Sequence, residues 1–204
     1  MTQKIKDLIT QIGKLEEELK RELDKEDNKI EVTIKKGRVW FDKETLARQR
    51  AELISALRYI SESPILYILT APIIYAVVIP ALVLDLFVTI YMQINFRVYG
   101  IPRVKRSDYI VFDRQYLGYL NWIEKLNCLY CSYFNGLMAY AGEVAARTEQ
   151  FWCPIKHAKK IAYRHRYYDN FVPYADEHYH QKLEALRKEL QQMEREEEEK
   201  ERGA

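Results

Sequence analysis

The sequence predicts a mainly α, membrane-anchored helical protein. It would carry a hydrophobic Pro-broken helical hairpin or a kinked span, a small N-terminal β-hairpin and terminal coiled-coil-like helices. Three observations predict this. Between Glu62 and Arg97 the only formal charge is Asp85. Both ends are dense in charge and carry leucines at helical spacing. One stretch, 29–41, switches from the helical period to strict alternation. The uncharged run decides the class: about 20 apolar residues span a bilayer's hydrocarbon, whereas roughly 10–14 fit a soluble core helix.

Residues 1–28 read as an amphipathic helix. Ile5, Leu8, Ile12, Leu15 and Leu19 repeat at 3-4-3-4 spacing with Lys and Glu between them. That is a coiled-coil seam about three heptads long, suited to self-association or to packing on its own domain. Residues 29–42 read as a β-hairpin. Ile30, Val32 and Ile34 alternate with polar residues, Lys36-Gly37 turns, and Val39 and Phe41 alternate again. A lone hairpin is marginal in water, so it needs a helix or a second subunit to pack on. Residues 43–62 follow as a juxtamembrane helix with Asp42 as N-cap and Leu46, Leu53, Ile54, Leu57 and Ile60 on one face.

The segment 63–96 meets the membrane in one of two ways. Thirty helical residues are roughly 45 Å long against a core of about 30 Å, so a single span would tilt or kink. Pro72 and Pro80 each remove a backbone donor and would bracket a turn. Residues 35–58 carry seven cations and 97–114 carry five. Two basic flanks favour a same-side hairpin, because a true span leaves one of them on the wrong side. Lipid cannot satisfy the backbone of such a turn, so neighbouring subunits would cover it. Asp85 lines an ion or proton path, or simply sits near the interface or is hydrogen-bonded between subunits.

Residues 97–175 form a cytosolic or interfacial Cys/His region: a basic loop over 97–114, one long helix or two helices joined near Asn135-Gly136 over 115–152, and a further helix from Cys153-Pro154. Residues 169–176 are a turn. Residues 176–204 are a charged helix and tail, with Leu183, Leu186, Leu190 and Met193 on one stripe.

The chemistry candidates are Cys128, Cys131, Cys153 and His157, in the pattern C-x2-C, 21 residues, C-x3-H. Three thiolates and an imidazole are a common tetrahedral zinc set; an iron–sulfur centre suits a set with one histidine less well. Buried apolar thiols and thiol redox are the competing readings. Zinc binding within one chain carries a condition. On one continuous helix the two pairs would lie about 37 Å apart, so the chain must fold back near Asn135-Gly136, or the pairs must meet between antiparallel chains. A second polar group, Glu143, Arg147, Glu149, His165, Asp169, Asp176, His178 and His180, reads as a salt-bridged surface, with Glu143 and Arg147 paired at i,i+4.

The chain has 204 residues, enough for one modest domain with appendages. Its 32 Lys and Arg nearly balance 30 Asp and Glu, so no net field argues for a nucleic-acid partner. Residues 1–60 contain no apolar signal core, which favours a cytosolic start. Sixteen tyrosines suit membrane interfaces and protein contacts. No phosphate loop, nucleotide fingerprint or nucleophile–base motif occurs, which argues against a familiar enzyme.

The block YLNWIEKLNCLYCSYFNGLMAYAGEVAARTEQFWCPIKHA, with SPILYILTAPIIYAVVIPALVLDLFVTIY upstream, resembles an uncharacterised, hypothetical family of bacterial membrane proteins. The resemblance covers roughly residues 60–175. It implies a bacterial source and membrane association, and no activity. The sequence reading is then a scaffold or interaction protein of the bacterial inner membrane, with its polar parts in the cytosol. It would be a homo-oligomer through the N-terminal helix and membrane segment, stabilised by a structural Cys3His zinc. The alternatives are a membrane redox or metal enzyme using the three cysteines, with Glu143 or Asp85 as proton carriers, and a channel or transporter subunit with Asp85 lining the path.

Overall fold

The computed structural model describes residues 3–27, 33–35 and 38–202. They are mainly helical and divide into two compact units. The first holds Met1–Ser55 with Asp113–Asn121, the second Ala56–Phe112 with Trp122–Ala204.

In the first unit, α1 (Gln3–Asp27) matches the expected helix. Its leucine stripe, Leu8, Leu15, Leu19 and Leu23 with Ile12, is exposed. Of the expected hairpin, the described residues form β1 (Thr33–Lys35), paired antiparallel with β2 (Arg38–Trp40), Ile34 opposite Val39. The alternating Ile30 and Val32 and the turn at Lys36-Gly37 lie outside the described residues. α2 (Lys43–Ala51) starts as expected on Asp42, whose carboxylate accepts from the Thr45 amide at 2.8 Å. The single helix expected over 43–62 is broken after Ala51. The Ile54 carbonyl turns to accept from the Asn121 side chain at 3.2 Å, and helix resumes only in the second unit, as α3 (Ala56–Ser61). Segment 113–121 closes on α2 through Gly118, whose amide donates to Gln49 Oε1 at 2.8 Å.

The second unit is built on one long helix. α4 (Ile65–Ala76) runs through Val77 into α5 (Val78–Tyr91), then through a π-helical stretch, Met92–Phe96, into α6 (Arg97–Tyr99). Val77 keeps right-handed helical dihedrals (φ −65°, ψ −17°), so the chain does not turn back between Pro72 and Pro80. The expected helical hairpin is therefore corrected to one helix of 35 residues, Ile65–Tyr99. Proline stops a helix when its ring clashes with the preceding turn and a lost hydrogen bond goes uncompensated. Here Pro80 falls in the first turn of α5, where the donor it lacks is not needed. The helix ends at Gly100, whose φ of +66° lets the Ile101 amide reach back to the Phe96 carbonyl at 2.9 Å.

α7 (Trp122–Trp152) is a single helix of 31 residues. It lies beside α4–α5 and runs the same way. Tyr75 donates to Asn127, Tyr133 to Asp85, Tyr140 to Thr89, and Tyr91 meets Thr148, so partner numbers climb together. Two parallel neighbours need a return segment, and 100–112 is the part of it in this unit. It descends along α7: the Pro102 carbonyl accepts from Arg147, and Tyr109 and Ile110 lie against Gly136. The basic loop expected over 97–114 therefore contributes core: Ile101, Val104 and Ile110 are buried with Met92, Phe96, Leu137, Tyr140 and Val144.

Asn135-Gly136 is not a turn. A Cβ at Gly136 would lie 2.5 Å from the Tyr109 carbonyl oxygen, so glycine is there to admit the return segment. The helix expected from Cys153-Pro154 is also absent. The amides of Lys156 and His157 are taken by the Val172 carbonyl (2.8 Å) and the Tyr168 hydroxyl (2.7 Å), which holds 154–157 extended beside Val172. α8 (Tyr179–Arg202) packs on α7, with Leu190 in the shared core and Leu183 also buried. Its inner stripe continues to Glu194, which is buried, while the expected Met193 is exposed.

Candidate functional site

The dominant surface feature is the outer face of α4–α5. Around this helix, Ala71, Tyr75, Val78, Ala81, Asp85, Val88 and Met92 fall at 3- and 4-residue steps and are at least partly covered. Ile73, Val83, Phe87, Ile90, Ile94 and Val98 point the other way and are exposed. The helix is long and apolar enough to cross a membrane, yet only 6% of its most apolar window is buried. Beside it, α7 presents an outer face without formal charge between Lys125 and Glu143, including Cys131, Asn135, Met138 and Gly142. Between the two helices lies a shallow groove floored by Val88, Tyr91, Ala141, Val144, Ala145 and Trp152.

Two charged clusters lie in the second unit. Asp85, the one charge of the apolar run, is fully engaged. Its Oδ1 accepts from Arg106 Nε at 3.1 Å and from Thr89 Oγ1 at 3.2 Å. Its Oδ2 accepts from Arg106 Nη2 at 2.6 Å and from the Tyr133 hydroxyl at 3.0 Å. The two forked contacts to Arg106 are charge-assisted and fix its guanidinium. Asp85 thus pins the return segment to α5 and α7 through bonds within one chain. The loop's basic composition is visible in the sequence; that Arg106 is the partner needs the fold.

A second cluster ties the upper end of α7 to both neighbouring segments. Glu143 Oε1 accepts from Arg147 Nε at 2.8 Å, from the Tyr167 hydroxyl at 2.6 Å and from Arg166. Burial pushes the Glu143 carboxyl up. The hydrogen bonds from Tyr167 and Arg147, with the charges of Arg166 and Arg147, outweigh it and hold the group below its ordinary value. Burial, then the hydrogen bond to Glu143, pushes the Tyr167 phenol up. The i,i+4 pairing expected of Glu143 and Arg147 is present, and so is the salt-bridged surface around it. His165 meets Glu149 at 3.1 Å, Arg164 meets Asp169 at 3.6 Å, and Lys182 meets Asp176. Every acid of this group named here has a partner inside the protein, an arrangement that holds elements together.

The cysteines and His157 are not brought together. Cys128 and Cys131 sit on α7, and the helix runs unbroken to Trp152 before Cys153. Twenty-five residues of helix separate Cys128 from Cys153 by about 37 Å, so the condition for a shared ion within one chain is not met. All three cysteines are free thiols, Cys131 and Cys153 exposed. His157 stacks its ring on Tyr168 (centroids 6.1 Å apart). Among the described residues no three His, Cys, Asp or Glu side chains are grouped to hold a metal ion. These residues do not fit a Cys3His zinc within the chain. Compared with protein-family models, curated proteins and solved structures, the chain has no match.

Proposed function

We propose that this chain is a membrane-bound helical scaffold that lies on the bilayer through the outer face of α4–α5 and the neighbouring face of α7. One observation carries the reading. A 35-residue apolar helix is backed by protein along one side and bare along the other. Water would charge about 25 cal/mol for each Å² of that bare apolar surface, and soluble proteins rarely leave patches of this kind uncovered.

Lying on the membrane fits better than crossing it. A crossing helix would carry its parallel neighbour and the return segment with it. That segment holds Arg103, Lys105, Arg106 and Asp108, and ionised side chains cost about 2.5–3.5 kcal/mol each near the bilayer centre. An interfacial helix buries only its apolar face, about 5–10 Å deep, and leaves polar segments in water. It also accounts for cations on both flanks of the run, since both then face the same side.

The test is flotation of the full chain with phosphatidylcholine vesicles, followed by depth measurement. Single fluorophores at Ile73, Phe87 and Ile94 should be quenched from one common depth. A depth that rises steadily from Ile73 to Ile94 would mean a span. A chain that stays at the bottom of the gradient, monodisperse without detergent, would end the membrane reading and point to a second copy covering the face.

A further inference from the structure

We infer that a cleft at the edge of this face binds the phosphate of an anionic phospholipid, an inference that rests on the membrane reading above. The cleft has a volume of about 450 Å³ and is lined by Thr89, Gln93, Arg103, Lys105, Arg106 and Tyr140. Its charge suits a phosphodiester. Among the described residues Arg103, Lys105 and Arg106 outnumber the carboxylates beside them, Glu194 on the cleft wall and Asp85 behind Arg106. Asp85 holds Arg106 by Nε and Nη2, so that guanidinium is in place before a ligand arrives. Arg103 lines the same cleft, and its guanidinium has the planar fork of donors that matches a phosphate.

The second half of the argument is what adjoins the cleft. At 100° per residue, Thr89 lies on the flank of α5 with Leu86 and Ile90 one step further round, and Gln93 follows in the π-helical stretch. Leu86 and Ile90 are 57% and 46% exposed and open onto the arc of Val83, Phe87 and Ile94. A phosphate seated between Arg103 and Lys105 would therefore have its glycerol at Thr89 and Gln93 and its acyl chains over the apolar arc. A free phosphate would use only the first half of this arrangement.

The experiment compares binding of the full chain to vesicles of phosphatidylcholine alone and of phosphatidylcholine doped with phosphatidylglycerol. The unsubstituted chain should prefer the doped vesicles. Arg103→Gln with Lys105→Gln should weaken doped-vesicle binding about fivefold per charge removed and leave neutral-vesicle binding unchanged. Arg103→Lys should retain the preference, which separates lost charge from lost fold. Lys159→Gln with Lys160→Gln removes the same charge from the exposed loop and should change little. Equal losses from both pairs would mean diffuse surface attraction and overturn the cleft. Glycerol 3-phosphate that binds the detergent-solubilised chain and displaces doped vesicles would assign the cleft to a free phosphate and overturn the lipid. Neutral-vesicle binding with no anionic preference defeats the cleft alone; no binding to either vesicle defeats the membrane reading beneath it.

Discussion

Glu143→Gln should lower the unfolding free energy of the second unit by about 3 kcal/mol, the low end of what breaking a buried ion pair costs. Glu143 and Arg147 side chains are only 10% and 12% exposed, so the loss is not made good by water. Arg147 would keep its contact to the Pro102 carbonyl but lose the carboxylate that neutralises it. Tyr167 and Arg166 would lose the same acceptor. Denaturant unfolding measures this directly. The double variant Glu143→Gln, Arg147→Met should recover much of the loss, because it removes the stranded charge as well as its partner. A double variant as unstable as the sum of its parts would show that the two groups act separately.

The same carboxyl sets an acid limb. Its folded value is held below the ordinary one, so its contribution is complete above the ordinary carboxylate range and is lost as pH falls toward the lowered value. Unfolding midpoints measured downward through that range should fall more steeply in the natural chain than in Glu143→Gln.

Gly136→Ala should destabilise the second unit by about 1–3 kcal/mol, the usual cost of overpacking a filled site. In an exposed helix the same change would stabilise by nearly 1 kcal/mol, so the sign itself is diagnostic. The added Cβ would meet the Tyr109 carbonyl oxygen at 2.5 Å and the Ile110 Cα at 2.9 Å. These are backbone atoms of the return segment and cannot swing aside. Gly142, on the same helix, would have nothing within 4 Å of an added Cβ and supplies the control. Gly142→Ala should be neutral or stabilising. If both alanines stabilise, the return segment is not packed on α7 as described.

Much of this architecture can be read in the residues. The uncharged run marks the apolar helix, Asp42 marks the start of α2, and alternation around Ile34 and Val39 marks the two-stranded ladder. The failures share a cause: short-range pattern cannot see a partner distant in the chain. Gly136 reads as a turn because glycine breaks helices in isolation, and only the approach of Tyr109 explains it. Ile101, Val104 and Ile110 have no helical or strand period, so they are hidden among the cations of their loop. Pro154 reads as a helix start, yet the amides after it are claimed by Val172 and Tyr168. The cysteine pattern is local at each end, and the straightness of α7 decides against joining the ends.

The parallel course of α5 and α7 also fixes an order of events during synthesis. Tyr75 waits for Asn127, Tyr91 for Thr148, and Tyr99 for Gln191, which lies 92 positions later. At roughly 5–20 residues per second, the apolar helix stands without its protein backing for about 3–10 s after it is made. During that interval both of its faces are bare. On the proposed membrane reading, a lipid surface would reach the outer face of the nascent chain first, leaving α7 and then α8 to close the inner one.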